Sequence, residues 1–277
     1  MATTFFGGLV VMSALVADEA NRDTRRPSKD TNEVLQRFVD ECVSIQPGSE
    51  GFPKKFLIGA KQPRKNEIAQ KEVTLSEPFR ISRYEVTQEL YQAITDHNPS
   101  RWKGPRNSVE RVTWNDAVNF CQQLTTELRS RKLIKQTETV RLPTSVEWEY
   151  CCRAGTSTRY GFGDEAGQNG QTEILNQYAW HTGNAAGNDP AVGVLKPNAW
   201  GLFDCHGYLS EFVTEETPRL DKDGRILRVI RGGSWKDHHS LLSSSAYLTI
   251  PEAASGDEIG IRCVIALDTG PKKALRR

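Results

Sequence analysis

Pro197-Asn198-Ala199-Trp200-Gly201-Leu202-Phe203-Asp204-Cys205-His206-Gly207-Tyr208-Leu209-Ser210-Glu211-Phe212 is the stretch on which the reading of this chain turns. It holds two carboxylates, Asp204 and Glu211, with Gly207 and a run of main-chain carbonyls between them. Hard cations take oxygen ligands, carboxylate and carbonyl together, and a glycine lets the backbone fold back on the ion. The stretch can therefore close a loop around Ca²⁺. The spacing by itself is equally that of two solvated acids in a loop.

The 277 residues suffice for one large domain or two small ones. Basic and acidic residues nearly cancel, 36 against 35, so no global field draws in nucleic acid or an anionic membrane. Twenty-two Gly and 13 Pro against two Met point to a loop-rich fold rather than a helical bundle, and six Trp and ten Phe can anchor its core. Phe5 to Val16 is apolar, too short to span a bilayer and of the length of a signal-peptide core, with Ala14-Leu15-Val16-Ala17 as a small-x-small cleavage site. No Lys or Arg precedes it, which keeps a cytoplasmic chain as the alternative to export. The expected organisation is a signal peptide at 1–17, a polar linker at 18–30, one domain at 31–268 and a basic tail at 269–277, with no membrane span in the mature chain. The six cysteines, at 42, 121, 151, 152, 205 and 263, show neither C-x-x-C nor zinc spacing, and spacing alone does not pair them.

Working outward from Pro197, Val34, Leu35, Phe38, Val39 and Cys42 recur at helical spacing, which reads either as a short helix or as a helix running into a first strand at Val43 to Ile45, and Phe56 to Gly59 reads as a strand. Val73 to Val86 alternates in part and reads as the best strand of the N-terminal half. Thr87 caps a short helix bearing Leu90, Tyr91 and Ile94. Thr113 with Asp116 opens a longer one along Ala117, Cys121, Leu124 and Leu128. Thr144 with Glu147 forms a full capping box for a third helix, through Arg153. Beyond Thr156 turn residues dominate, with strands expected at Leu227 to Arg231 and Gly260 to Ala266. The fold class is α+β, and such long loops need pinning by metal, disulfide or buried aromatics.

A series of motifs then falls in one order: Arg83-Tyr84-Glu85-Val86-Thr87, Asn98-Pro99-Ser100, Val112-Thr113-Trp114-Asn115-Asp116-Ala117, Arg141-Leu142-Pro143-Thr144 leading to Glu147-Trp148-Glu149-Tyr150, Pro197 to Leu202, Arg231-Gly232-Gly233-Ser234-Trp235, and Gly260-Ile261-Arg262. In this order they resemble the formylglycine-generating enzyme (sulfatase-modifying factor) family, from about Val43 to Ala266. The resemblance implies a variant C-type-lectin-like fold stabilised by Ca²⁺. It implies an oxidase that uses two copper-binding cysteines to convert the cysteine of a Cys-x-Pro-x-Arg motif to formylglycine. Soft thiolates suit Cu(I), yet the matching positions here are Asp237 and Leu242, so copper is not expected. The family's Ca²⁺ site falls on Asp204 and Glu211 by side chain and on Gly207 and Leu209 by carbonyl. The flanking pattern departs, since most relatives read H-G-N-V-W-E-W where this chain has His206 to Phe212. A helix-to-last-strand disulfide falls on Cys121 and Cys263, closing a loop that would contribute ~4–5 kcal/mol in the chain-entropy model.

Other suggestive groups have plainer readings. Asp237-His238-His239 resembles a metal cluster, but adjacent histidines diverge and the triplet fits an exposed loop. Cys151 and Cys152 lie about 100° apart on a helix, one in the core and one at its boundary. Glu147 is a cap, and Glu149 faces elsewhere. Arg231-Gly232-Gly233 fits a tight turn better than an anion site. The expectation is a binding or scaffold protein that presents a groove near Ser234, Trp235, Asp237, His238 and His239 to a peptide or protein partner. The alternative is a formylglycine-generating oxidase with a changed metal site.

Overall fold

The computed structural model describes residues 29–165, 172–187 and 189–269. The expected leader, nearly all of the linker and all but the first residue of the basic tail lie outside them. The chain divides into two compact units, Met1–Glu33 and Val34–Arg277. The described residues of the first are the opening of a helix, and the second holds every other element.

The helices are α1 (Lys29–Asp40), α2 (Gln88–Thr95), α3 (Trp114–Ser130) and α4 (Ser145–Arg153). The strands are β1 (Cys42–Ile45), β2 (Lys55–Ile58), β3 (Lys71–Thr74), β4 (Phe79–Ser82), β5 (Glu138–Arg141), β6 (Ser210–Leu220), β7 (Ile226–Arg231), β8 (Tyr247–Pro251), β9 (Ile259–Gly260) and β10 (Val264–Leu267). They form sheets ordered β1-β4-β10-β5 and β8-β7-β6-β9, with β2 and β3 paired apart.

The helix starts follow the sequence. Thr87 accepts from the Leu90 amide, and Thr113–Asp116 and Thr144–Glu147 are complete capping boxes. Each satisfies amides that the first turn leaves without partners. The expected stripe of α3 is buried, and Phe120 on the same face stacks on Tyr91 of α2 with centroids 5.0 Å apart. The Thr125 hydroxyl receives the Val140 amide at 2.8 Å, which seats α3 on β5.

Two expected strands are corrected. Val73 to Val86 breaks at Ser76-Glu77-Pro78 into β3 and β4, which belong to different sheets; proline has no amide to donate to a ladder. Gly260 to Ala266 likewise divides into β9 and β10, separated by Ile261-Arg262-Cys263. There Arg262 leaves the ladder and turns inward, only 1% exposed. Strands β5, β6 and β8 were not anticipated. The result is an α+β fold whose long connections, above all between Thr156 and Leu209, carry almost no regular structure among the described residues.

Candidate functional site

The Pro197–Leu209 segment is held by side chains rather than by a ladder. Asn198 accepts from the Trp200 and Leu202 amides and donates to the Cys151 carbonyl at 2.8 Å. Asp204, Gly207 and Tyr208 all adopt left-handed backbone conformations. At Gly207 a Cβ would run into the Trp180 carbonyl oxygen, so only glycine fits. The same carbonyl accepts the Tyr208 amide at 3.0 Å, and Gly207 N donates to Gly232 O at 3.0 Å. Tyr208 O in turn receives the Trp235 amide at 2.9 Å. Three hydrogen bonds thus tie the loop to Trp180 on one side and to the Gly232–Trp235 turn on the other.

Below this junction lies a buried charge cluster. Both oxygens of Glu211 face Arg262, whose Nη2 donates at 2.7 Å, and Oε2 also accepts from Trp148 Nε1 at 2.6 Å. The remaining donors of Arg262 reach the carbonyls of Ser82, Arg83 and Phe203. Asp204 accepts from the Gly193 amide at 2.9 Å. Glu85 accepts from the Leu209 amide at 3.1 Å and from the Ser108 hydroxyl. Three carboxylates therefore surround one guanidinium, each at most 3% exposed. Burial pushes the Asp204 carboxyl up to about 6. Burial, followed by the charges of Glu211 and Asp204, pushes Glu85 well above the usual range. The donor set is all oxygen and the negative charge is in excess, which is chemistry that suits a hard cation. Glu211 as placed is already engaged by Arg262 and Trp148, so an ion would share it. Glu85 was not singled out from the sequence as a site residue.

Above the junction opens a cavity of about 260 Å³. Its walls include Trp102, Trp180, Tyr208 and Trp235, together with Glu110, Asp189 and Asp257. Trp235 is anchored by its indole N–H on Asp257 O at 2.9 Å, and Tyr208 by its hydroxyl on Pro190 O at 2.6 Å. Of the residues expected to contact a ligand, Trp235 lines the cavity. Ser234 and Asp237 brace the turn beneath it, where Asp237 Oδ2 accepts both the Ser234 amide at 2.8 Å and its hydroxyl at 2.7 Å. His238 and His239 face each other with ring centroids 4.0 Å apart and are not among the lining residues. His238 caps the short helical turn His239–Leu241. Leu242 is fully buried beside Tyr160, Leu175 and Ala179.

All six cysteines are free thiols in the structure. Cys121 and Cys263 are neighbours, their sulfurs 3.8 Å apart. Cys151, Cys152 and Cys205 are buried in the core under Trp148 and do not line the cavity. Burial pushes Cys151 well above the usual thiol range; contact with Cys152 and burial do the same for Cys205. Such thiols are poor nucleophiles and poor metal ligands. Cys152 lies 3.6 Å from His206 Nε2, but burial keeps this imidazole neutral. Nε2 accepts from the Gly161 amide, and Nδ1 donates to Leu242 O at 2.8 Å. Among the described residues no three His, Cys, Asp or Glu side chains converge as a metal centre. No helix among them is long and apolar enough to cross a membrane.

The sequence matches the Sulfatase-modifying factor enzyme 1-like domain over residues 27–267. It is 31% identical over 220 residues to Chaperone protein LppX of Paenibacillus barcinonensis, covering 64% of this chain and 76% of that one. It is 28% identical over 180 residues to the formylglycine-generating enzyme of Streptomyces coelicolor, covering 57% of this chain and 52% of the enzyme, so it spans about half that relative's length. Among solved structures, Treponema denticola variable protein 1 superposes with a TM-score of 0.66 at 24% identity, covering 80% of this chain and 94% of the other. That likeness shows the variant C-type-lectin-like fold. With the whole series of motifs and the fold in agreement, this chain belongs to the sulfatase-modifying factor family.

Proposed function

We propose that this domain is a binding module without copper-dependent oxidase activity, and that it holds a segment of a peptide or protein partner in the cavity beside Trp235. The cavity itself carries the reading: three indoles and a phenol form its walls, and rigid aromatics bury large area at low entropic cost. The two positions that correspond to the copper ligands support it. The Asp237 carboxylate is spent on the Ser234 turn, and Leu242 is core. The similarity to a protein named as a chaperone points the same way.

Calcium belongs to this reading. Asp204 and Glu211 by carboxylate, with Gly207 and Leu209 by carbonyl, would hold it, and its charge would offset the buried excess around Arg262. Export through residues 1–17 and oxidation of Cys121 with Cys263 complete the proposal, since an oxidising compartment favours such a bond.

The test pairs two measurements on the full chain. Incubation with a Cys-x-Pro-x-Arg peptide, copper and O₂ should leave the peptide mass unchanged, and a randomised peptide library should bind in a manner abolished by Trp235→Ala. Formylglycine formation would overturn the non-catalytic reading. Library binding indifferent to Trp235→Ala would overturn the site.

A further inference from the structure

The cavity walls are not only aromatic. Glu110 is 4% exposed, and its Oε1 accepts from the amides of Arg101 and Trp102, while its Oε2 is screened from water and has no hydrogen-bond partner. Asp189 accepts through Oδ2 from the Asn107 side chain. Among the described residues neither carboxylate has an ion-pair partner. Asp257 differs: Lys236 takes one oxygen and Arg101 the other, so those two cations are spent at the rim. Those two cations also lie over the Trp102 and Trp235 rings, 4.7 and 5.0 Å from the centroids, so the carboxylates of Glu110 and Asp189, without an ion pair, remain beside Trp180 and Tyr208. Glu110, buried without a salt-bridge partner, is costly to keep charged and is relieved by an incoming cation, while the exposed Asp189 adds charge at the mouth.

We infer that the cavity recognises the ammonium end of a lysine-type side chain on the bound segment, received beside the rings of Trp180 and Tyr208 and drawn in by Glu110 and Asp189. This rests on the cavity being the binding site and adds the chemistry of what enters it. Three observations favour it. A cation is attracted to the electron-rich face of an indole, and more strongly where water is excluded. The volume, about 260 Å³, lies just under the ~300 Å³ at which ordinary small-molecule pockets begin, so a single side chain is the right scale. Finally, an arginine fork needs both oxygens of one carboxylate. Glu110 has one oxygen committed to amides and Asp189 has one committed to Asn107. A point charge is served by the single oxygen that each still offers.

The experiment titrates the full chain with three blocked pentapeptides, Gly-Gly-X-Gly-Gly with X as lysine, arginine or norleucine, followed by tryptophan fluorescence and calorimetry. The lysine probe should bind about tenfold or more tightly than norleucine, and more tightly than arginine. Glu110→Gln should bring lysine down to the norleucine level while leaving norleucine unchanged. Asp189→Asn, at an exposed residue, should reduce the lysine preference by several-fold if Glu110→Gln fails to fold. Equal affinity for lysine and norleucine overturns the charge inference and leaves an apolar site. Arginine tighter than lysine overturns the ammonium assignment. No response to any probe, with library binding still lost in Trp235→Ala, refutes this inference alone. No response to either refutes the cavity as a site.

Discussion

Glu149 offers the sharpest test of how this loop-rich fold is held. Its carboxylate is fully buried between two guanidiniums. Oε1 accepts from Arg153 Nη2 and from the Gly59 amide, each at 2.7 Å, and Oε2 accepts from Arg231 Nη2. Arg231 and Arg153 are 2% and 3% exposed, so Glu149→Gln would leave two desolvated cations facing a neutral amide. Breaking a buried pair by removing one partner costs about 3–5 kcal/mol. That is a large share of the ~5–15 kcal/mol that holds a typical domain. With an m-value of about 3 kcal/mol/M in urea, the midpoint should fall by roughly 1–1.7 M. Replacing two partners together, Glu149→Leu with Arg231→Met, should cost less than the sum of the single changes, since only Arg153 is then left as a stranded cation. Equilibrium urea unfolding at pH 7 decides it. A midpoint shift below about 0.3 M for Glu149→Gln at unchanged m would refute the claim that this triad pins α4 to the end of β7.

The other predictions concern single features. Ca²⁺ at about a hundred times its dissociation constant should add ~2.7 kcal/mol, and so raise Tm by roughly 5–10 °C over an EDTA control, an effect that Asp204→Asn removes. Burial pushes the Glu147 carboxyl up, but Arg141, bonded to both its oxygens at 2.7 Å, and the Thr144 cap outweigh this and hold it below the usual carboxylate range. Its stabilisation is therefore complete above the ordinary value of 4.5 and is lost as pH falls through the lower folded value. Glu147→Gln should cost about 1–2 kcal/mol at pH 7 and nothing in acid below that range, read from urea midpoints across pH. Cys121 and Cys263 should disappear together from a thiol-alkylation map after mild oxidation, and a map in which either reacts alone would contradict their pairing. Leu124→Ala, at a fully buried site on α3, should cost about 2–5 kcal/mol in the same assay.

What the sequence disclosed was mostly local. The three threonine caps are legible because cap and amide lie within three residues of each other. The stripe on α3 is legible because its partners recur at a fixed period. Strand β6 is not, since Pro218 interrupts its reading as a strand and the acids at 211, 215 and 216 mask any alternation. Arg262 is illegible for another reason: nothing near it in sequence says that its partner is Glu211, 51 positions away, within a crossing between two sheets. The cavity follows the same rule. Trp235 was anticipated because it adjoins a glycine turn of the motif series. Trp102 with Glu110 and Trp180 with Asp189 come from two different connections, and no spacing relates one pair to the other.

The two arginine centres and the cavity form one mechanical argument. Arg262 holds Glu211 and the carbonyls of Ser82, Arg83 and Phe203, and so fixes the entry to Asp204. Arg231 holds Glu149 and the carbonyls of Ser245 and Ala246, and so fixes the approach to Gly232. Between these anchors the loop and the turn meet through Gly207 on Gly232 and Trp235 on Tyr208. Neither Tyr208 nor Trp235 belongs to a helix or a strand, yet both stand as walls of the cavity. Their positions are thus set by buried charge on either side rather than by a ladder beneath them. A fold built this way leaves the residues of its walls free of any duty in a ladder, while the arginine centres keep the backbone that presents them in place.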